Sequence, residues 1–300
     1  MGEKVSILKA LIVTADDFGV SIPVNEAVED GHKHGILSAA SLMAGAPALD
    51  DAVERARRLP TLGVGLHLTM VDGRPVLPPE QIPGLVGSDG RFLNNPVKFG
   101  TALYFSPSLR RQVRAELRAQ FDKFAETGLP MDHINGHQHF HMHPVVARFI
   151  AEVAPRFGSP PVRIPYEPFA RSYRAARRNA GRRLWNALFF GAQSANLKLR
   201  MKSANVPVND IVFGINDSGA MVEDSVLKFL DQLPDGVCEL YCHPATRTWS
   251  GADNLPAHYR SVEEYRALIA PAVISKLSRL NVSPVSFRAA FATPSTTRAA

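Results

Sequence analysis

Short apolar runs alternate with helix-like stretches along almost the whole chain, and few architectures accept that order. Strands are expected at residues 8–14, 37–43, 62–68, 132–135, 161–164, 211–215, 237–242 and 284–287. Helices are expected at residues 23–34, 50–59, 108–128, 144–156, 225–233 and 262–280. The clearest of them carries Leu109, Val113, Leu117 and Phe121 at four-residue spacing, with Phe124 continuing the stripe and charges on the other face. Strands that alternate with helices favour a parallel sheet with the helices outside. Seven or eight such units predict an α/β fold, a single-domain (β/α) barrel of seven or eight parallel strands; a doubly wound open sheet is the second choice. The barrel domain is assigned to residues 1–292, with insertions at about 71–106 and 166–207. The Ser/Thr/Ala-rich residues 293–300 are expected to be a disordered tail.

A hydrophobic content of 45% with 21% charged residues is ordinary for a soluble globular protein. No apolar run reaches the length of a membrane span. The first residues lack a signal-peptide layout, so a cytoplasmic location is expected. The two cysteines, Cys238 and Cys242, do not have zinc-ribbon spacing and read as packing residues in a strand. The net charge of +6 is unevenly placed. Residues 171–202 hold Arg171, Arg174, Arg177, Arg178, Arg182, Arg183, Lys198, Arg200 and Lys202 with no acid among them. Such a run can meet nucleic acid, an anionic membrane or an acidic substrate, or be a solvated helix face. It lacks the interleaved aromatics of a single-strand binder, so no nucleic-acid partner is expected.

The polar residues fall where the strands end. Asp16 and Asp17 follow the first strand, His67 closes the third, His137 follows the fourth, Arg163 closes the fifth and His243 follows the seventh. In a parallel barrel these ends share one face, the face that carries active sites. Asp16 and Asp17 would point to opposite sides of a regular strand, and Phe18-Gly19 is expected to supply a bend. One Asp with two His is a common set for a catalytic divalent metal, with positions left for water and substrate. A further carboxylate could accept a proton from water, and a facing histidine could donate one to a leaving group. His137, His139, His141 and His143 cannot all join Asp17 and His67 on one metal. Pro144 and the helix after it turn the chain, which leaves one or two of them near a metal. A nucleophile elbow and Gly-rich phosphate loops are absent.

Thr14-Ala15-Asp16-Asp17-Phe18-Gly19, Gly65-Leu66-His67-Leu68-Thr69, Asn135-Gly136-His137-Gln138-His139-Phe140-His141 and Cys242-His243-Pro244 together resemble the YdjC family of carbohydrate deacetylases. That family belongs to the polysaccharide-deacetylase-like barrels. Asn135-Gly136-His137 and the run from Val162 to Pro168 resemble most its hopanoid-biosynthesis-associated (HpnK-type) branch. The resemblance implies that Asp17, His67 and His137 hold one divalent metal ion, Zn²⁺ ahead of Mg²⁺ or another first-row metal. It implies that Asp16 is the general base and His243 the general acid. Arg163 and His139 are expected to bind substrate or orient the site. Arg163 could steady Asp16, meet a sugar hydroxyl or form a salt bridge at the barrel rim. Many relatives have Asp at the position of Asn135, so a ligand oriented by that Asp must here be oriented by an amide or another residue. The implied reaction removes the N-acetyl group from an N-acetylglucosaminyl hopanoid, with soluble chitooligosaccharides as the alternative. Phosphoester hydrolysis and a non-catalytic basic membrane- or nucleic-acid-binding role are the readings of other classes. Leu184, Trp185, Leu188, Phe189 and Phe190 lie among the cations of 171–202. They suit peripheral contact with the inner membrane face, or equally a helix packed on the barrel with its charges in water. A homodimer is compatible with the sequence.

Overall fold

The computed structural model describes residues 9–250, 253 and 255–292. The expected tail at 293–300 and the first residues lie outside them. Six strands form: β1 (Lys9–Phe18), β2 (Ala39–Leu42), β3 (Gly63–Leu68), β4 (Ile134–Gly136), β5 (Ile211–Phe213) and β6 (Gly236–Cys242). They pair in parallel in the order β4-β3-β2-β1-β6-β5 and make one curled sheet, a half-barrel. β1 lies between β2 and β6, and Leu11, Ile12, Val13 and Ala15 are buried, as a central strand covered on both faces requires.

Two expected strands, 161–164 and 284–287, are extended segments that touch the sheet only through single parallel bridges, Val162 to Ile134 and to Val208, and Pro284 to Leu11. The expectation of seven or eight strands is therefore not met among the described residues. Proline is the physical reason. Pro160, Pro161 and Pro165 flank Val162-Arg163-Ile164, and Pro284 opens the other segment; none has an N–H for a ladder. Residues 161–166 still lie between β4 and β5. Val162 N–H donates to the Pro207 carbonyl at 2.9 Å, Arg163 N–H to Ile134 at 3.0 Å, and Val212 N–H to Tyr166 at 2.9 Å.

The helices are α1 (Ile22–His34), α2 (Leu49–Arg57), α3 (Pro96–Phe105), α4 (Pro107–Glu126), α5 (Pro144–Val153), α6 (Phe169–Ala176), α7 (Ala180–Ser203), α8 (Glu223–Leu230), α9 (Ser261–Leu268), α10 (Pro271–Leu280) and α11 (Phe287–Phe291). On α4 the expected stripe is real: Val113, Leu117, Phe121 and Phe124 are buried, and the helix packs on β3 and α5. The single helix expected at 262–280 is two, because Pro271 cannot donate within a helix but fits its first turn. The 71–106 stretch is mostly irregular, as expected, but closes with α3, which Asn95 caps by accepting from Lys98 N–H.

The basic run forms α6 and α7, and part of it is internal scaffolding. Arg183 is fully buried. It donates to both Asp217 oxygens at 2.8 and 2.7 Å and to Ser172 Oγ at 2.6 Å, and Glu167 lies 3.4 Å away. Arg178 reaches Asp217, Arg182 the Asn216 carbonyl, Arg171 the Gln232 carbonyl, and Lys198 approaches Asp210. Five of the nine cations are thus held by the protein itself. Removing a buried cation from between two carboxylates leaves their charges uncompensated. Arg183→Met is expected to lower unfolding free energy by about 3–5 kcal/mol in urea denaturation, whereas the exposed Arg174→Ala should change it by less than about 0.5 kcal/mol.

Candidate active site

β1 does not stay regular at its end. Between Ala15 and Phe18 its register against β2 slips by one residue, and Asp17 takes a φ of 61°. The bend falls on Asp17 itself rather than at Phe18-Gly19, although Gly19 also has positive φ, at 95°. A left-handed non-glycine residue costs on the order of 1–2 kcal/mol. In return, adjacent carboxylates that would point apart both face His67. Asp16 Oδ1 is 4.0 Å from His67 Nδ1, and Asp17 Oδ1 is 3.3 Å from His67 Nε2.

His67 comes from β3, Asp17 from β1, and His137 from the turn directly after β4. The three offer ligand atoms that all lie within 4.8 Å of one another. Asp17 Oδ1 is 3.0 Å from His137 Nδ1. A tetrahedral ion with bonds of about 2.0–2.1 Å separates its ligands by roughly 3.3 Å, so these spacings suit one small cation. A second observation supports the fit: Asp17 Oδ2 is buried and has no hydrogen-bond partner. Burial alone would raise the Asp17 pKa, but opposing contacts led by His137 hold the group well below its ordinary value. Burial likewise opposes the charged form of His137, yet the Asp17 carboxylate prevails and raises its pKa.

Asp16 faces a different partner. Arg163 grips both its oxygens, Nη1 at 2.6 Å and Nη2 at 3.0 Å, and Asn135 Nδ2 donates to it at 3.2 Å. Arg163 is 0% exposed and is not at the rim. Its Nε also donates to both Glu239 oxygens at 3.0 and 2.9 Å, and its guanidinium lies 4.8 Å from the Tyr241 ring centroid. All three nitrogens of Arg163 are thus engaged by carboxylates. Burial pushes the Asp16 pKa up, but Arg163, followed by His67, pulls it below the ordinary range.

The histidine run is split by two consecutive left-handed residues, Gln138 at φ 49° and His139 at φ 56°. Only His137 of the four joins the ligand cluster. His139 Nε2 is 3.3 Å from the Tyr241 hydroxyl, His141 Nε2 donates to the Arg163 carbonyl at 2.9 Å, and His143 caps α5. Burial lowers the pKa of His139 and His141. His243 follows β6, packs against the rings of Tyr241 and Tyr259, and has a buried Nδ1 with no partner. Burial lowers its pKa, against the opposing pull of Asp17 and Asp16. Beside these groups opens a cleft lined by Asp17, His137, Thr69, Arg74, Asp253 and Tyr259 among others.

Sequence reasoning overlooked Glu239, Tyr241 and Glu264. The signal for the first two was alternation: Glu239, Tyr241 and His243 share one parity along β6, opposite to Cys238, Leu240 and Cys242. A glutamate inside an apolar strand needs a buried cation, and Arg163 is that cation. Asn135 answers the question its identity raised, since its amide oxygen is 2.6 Å from His67 Nδ1.

A family model described as YdjC-like protein matches residues 10–279. A carbohydrate deacetylase of Geobacillus stearothermophilus is 29% identical over 92% of this chain and 96% of its own length. A mouse (Mus musculus) carbohydrate deacetylase is 29% identical over 91% of this chain and 92% of its own. A chitooligosaccharide deacetylase of Proteus mirabilis is 37% identical over 48% of this chain and 54% of its own. Among solved structures, an Enterococcus faecalis protein described as a candidate for cellobiose-phosphate cleavage superposes with a TM-score of 0.71 at 24% identity, covering 94% of this chain and 98% of its own. That likeness supports the fold.

The site also carries a pH signature. Glu264 of α9 accepts the backbone N–H of His243 at 2.6 Å and of Met221 at 2.7 Å. Burial lifts its pKa from 4.5 to about 7. Between those values the unfolded chain has lost this proton and the folded chain keeps it, so the group's contribution to stability falls as pH rises and is flat above the folded value. The stability of the wild type relative to Glu264→Gln is therefore expected to decline from about pH 4.5 to 7, as read by thermal unfolding across that range.

Proposed function

The chain belongs to the YdjC-like protein family, and from that membership together with the site geometry we propose a metal-dependent hydrolase that removes the N-acetyl group from an N-acetylated amino sugar. The observation that carries the reading is the meeting of Asp17, His67 and His137 at one point, with Asp16 and His243 around it and an open cleft beside it. Asp17, His67 and His137 would hold one divalent cation, and two imidazoles with a carboxylate suit Zn²⁺. When bound, such an ion activates water and polarises a carbonyl. Asp16 is ionised and accepts the proton of the attacking water. Arg163 fixes the direction of its lone pairs, and Glu239 shares the guanidinium, which lessens the grip on Asp16. His243 is neutral before reaction. Once the proton that Asp16 took from the water reaches it, the charges of Asp17 and Asp16 stabilise the imidazolium, and it passes that proton to the departing amine.

Within this reading we assign a lipid-linked substrate, an N-acetylglucosaminyl hopanoid. Two exposed apolar strips support it. On α7, Trp185 is 66% and Leu188 64% exposed, with Leu184, Phe189 and Leu199 beside them; on α3, Val97, Tyr104 and Phe105 are exposed. Both helices border the His137–Met142 turn. Phe190 of α7 packs edge-on to His139, and Phe99 of α3 stacks on Phe140. The exposed cations Arg174, Arg177 and Lys202 add charge of the sign that an anionic membrane face attracts. No helix among the described residues is long and apolar enough to cross a membrane, so contact would be peripheral. The name of the Proteus mirabilis relative favours a second substrate, soluble chitooligosaccharides.

Acetate release from N-acetylated chitobiose and from an N-acetylglucosaminyl-lipid substrate, with and without a chelator, tests the reaction and its metal. Asp16→Asn and His243→Ala should each lower kcat/KM by about 10²–10⁴ while metal content by elemental analysis stays at the wild-type level. Undiminished turnover in either variant, or after chelation, refutes the proposal. Replacing Trp185, Leu188 and Phe189 with serine should slow the lipid-linked substrate more than chitobiose; equal losses would leave the soluble sugar as the substrate.

A further inference from the structure

Behind the site, buried polar side chains run in single file from the far end of the sheet to His67. Asp132 Oδ2 is 3.1 Å from His133 Nδ1, and His133 Nε2 is 2.9 Å from Ser41 Oγ. Ser41 Oγ is 2.8 Å from Asn135 Nδ2, and Asn135 Oδ1 is 2.6 Å from His67 Nδ1. All five residues are buried, and none of them lines the cleft. Asp, His and Ser in this order have the contacts of a nucleophilic triad. Ser41 cannot serve as a nucleophile here, because the Asn135 amide occupies its oxygen and no cleft reaches it.

With both imidazoles neutral, the chain of bonds has only one consistent direction. An ionised carboxylate accepts and never donates. Asp132 also accepts the backbone N–H groups of Phe287 at 3.1 Å and Arg288 at 3.0 Å, which fixes it as the acceptor end. His133 Nδ1 must then carry the hydrogen, and its Nε2 presents a lone pair. The Ser41 hydroxyl donates to that lone pair and accepts one Asn135 N–H, while the other points to Asp16 at 3.2 Å. The amide oxygen of Asn135 therefore faces His67, whose Nδ1 carries the hydrogen. His67 Nε2 is left bare, 3.3 Å from Asp17 Oδ1.

That outcome is contested locally. The Asp17 carboxylate beside Nε2 favours a hydrogen on that nitrogen, the opposite tautomer, which could not ligate a cation through Nε2. The shorter contact, 2.6 Å to Asn135 against 3.3 Å to Asp17, belongs to the relay. The packing leaves the relay little freedom. His133 stacks on Phe287 with ring centroids 4.3 Å apart. Across from it is Gly65, where a Cβ would sit 2.4 Å from His133 Nδ1, so only glycine leaves room for the ring.

We propose that Asp132, His133 and Ser41 are positioning residues that act through Asn135 to set the tautomer of His67, leaving Nε2 as its ligand atom. The inference rests on the metal-site reading above, but its primary readout needs no metal. Long-range ¹H–¹⁵N correlation spectra of the metal-free protein, at a pH where imidazoles are neutral, report which nitrogen of His67 is protonated. The wild type should show Nδ1–H. Ser41→Ala should move His67 toward Nε2–H and weaken Zn²⁺ binding about tenfold in chelator competition. Ser41→Thr, which restores the hydroxyl, should recover both. Ser38→Ala is the structural control. It removes a buried hydroxyl that accepts from Val13 N–H at 2.9 Å, and it should lower stability without moving either readout. If Ser41→Ala does not fold, His133→Phe keeps a stacked ring without its nitrogens and should shift the tautomer in the same direction. An Nε2–H signal in the wild type, or an unchanged tautomer in the folded variants, overturns the relay and leaves the deacetylase reading standing. Failure of the wild type to bind Zn²⁺ would instead refute the metal reading, with the relay still judged by the tautomer.

Discussion

A guanidinium with no access to water joins the parts of this site. Arg163 sits in a segment that proline keeps from becoming a strand, but that backbone hydrogen bonds tie to β4 and β5. Its side chain adds a connection to the centre of the sheet, reaching Asp16 on β1 and Glu239 on β6. Two carboxylates and one cation buried together are costly to desolvate. The arrangement is tolerable because every nitrogen of the cation meets an acceptor and the contacts are short. Without Arg163, Asp16 and Glu239 would be two uncompensated charges in the interior, and the 161–166 segment would lose its tie to the centre.

The same face shows how one residue type is put to different uses by its neighbours alone. His137, His139, His141 and His243 are all largely enclosed by protein, and burial pushes each toward the neutral form. His137 alone has a carboxylate in hydrogen-bond contact, and its pKa moves the other way. The pair Asp17 and His137 therefore shares a proton that an incoming cation would displace, while the other imidazoles have none to release.

Much of this was legible in the sequence. The order of strands and helices followed from periodicity, and the strand ends located Asp16, Asp17, His67, His137, Arg163 and His243 before any coordinates. What stayed hidden depended on contacts between residues far apart in the chain. Nothing local in Cys238-Glu239-Leu240 names Arg163 as the partner of Glu239, 76 residues away. Arg183 lies in a run that reads as surface charge, and only the positions of Asp217 and Glu167 show it to be interior. The bend was expected one residue late, because glycine advertises backbone freedom and an aspartate in the left-handed region does not. The two missing strands were marked by their prolines, which apolar character outweighed in the reading.

The burial of Arg163 also divides the molecule by its response to dissolved ions. Mobile ions screen charges across roughly 8–10 Å of solution at physiological strength, but they cannot enter the space around Asp16, Arg163 and Glu239. The fields among these three groups are thus insulated from the medium. The exposed Arg174, Arg177 and Lys202 have no such shelter, and any attraction they exert fades as salt is added. Added salt therefore weakens the pull of these outer cations on any anionic surface while the buried Asp16–Arg163–Glu239 group stays unscreened.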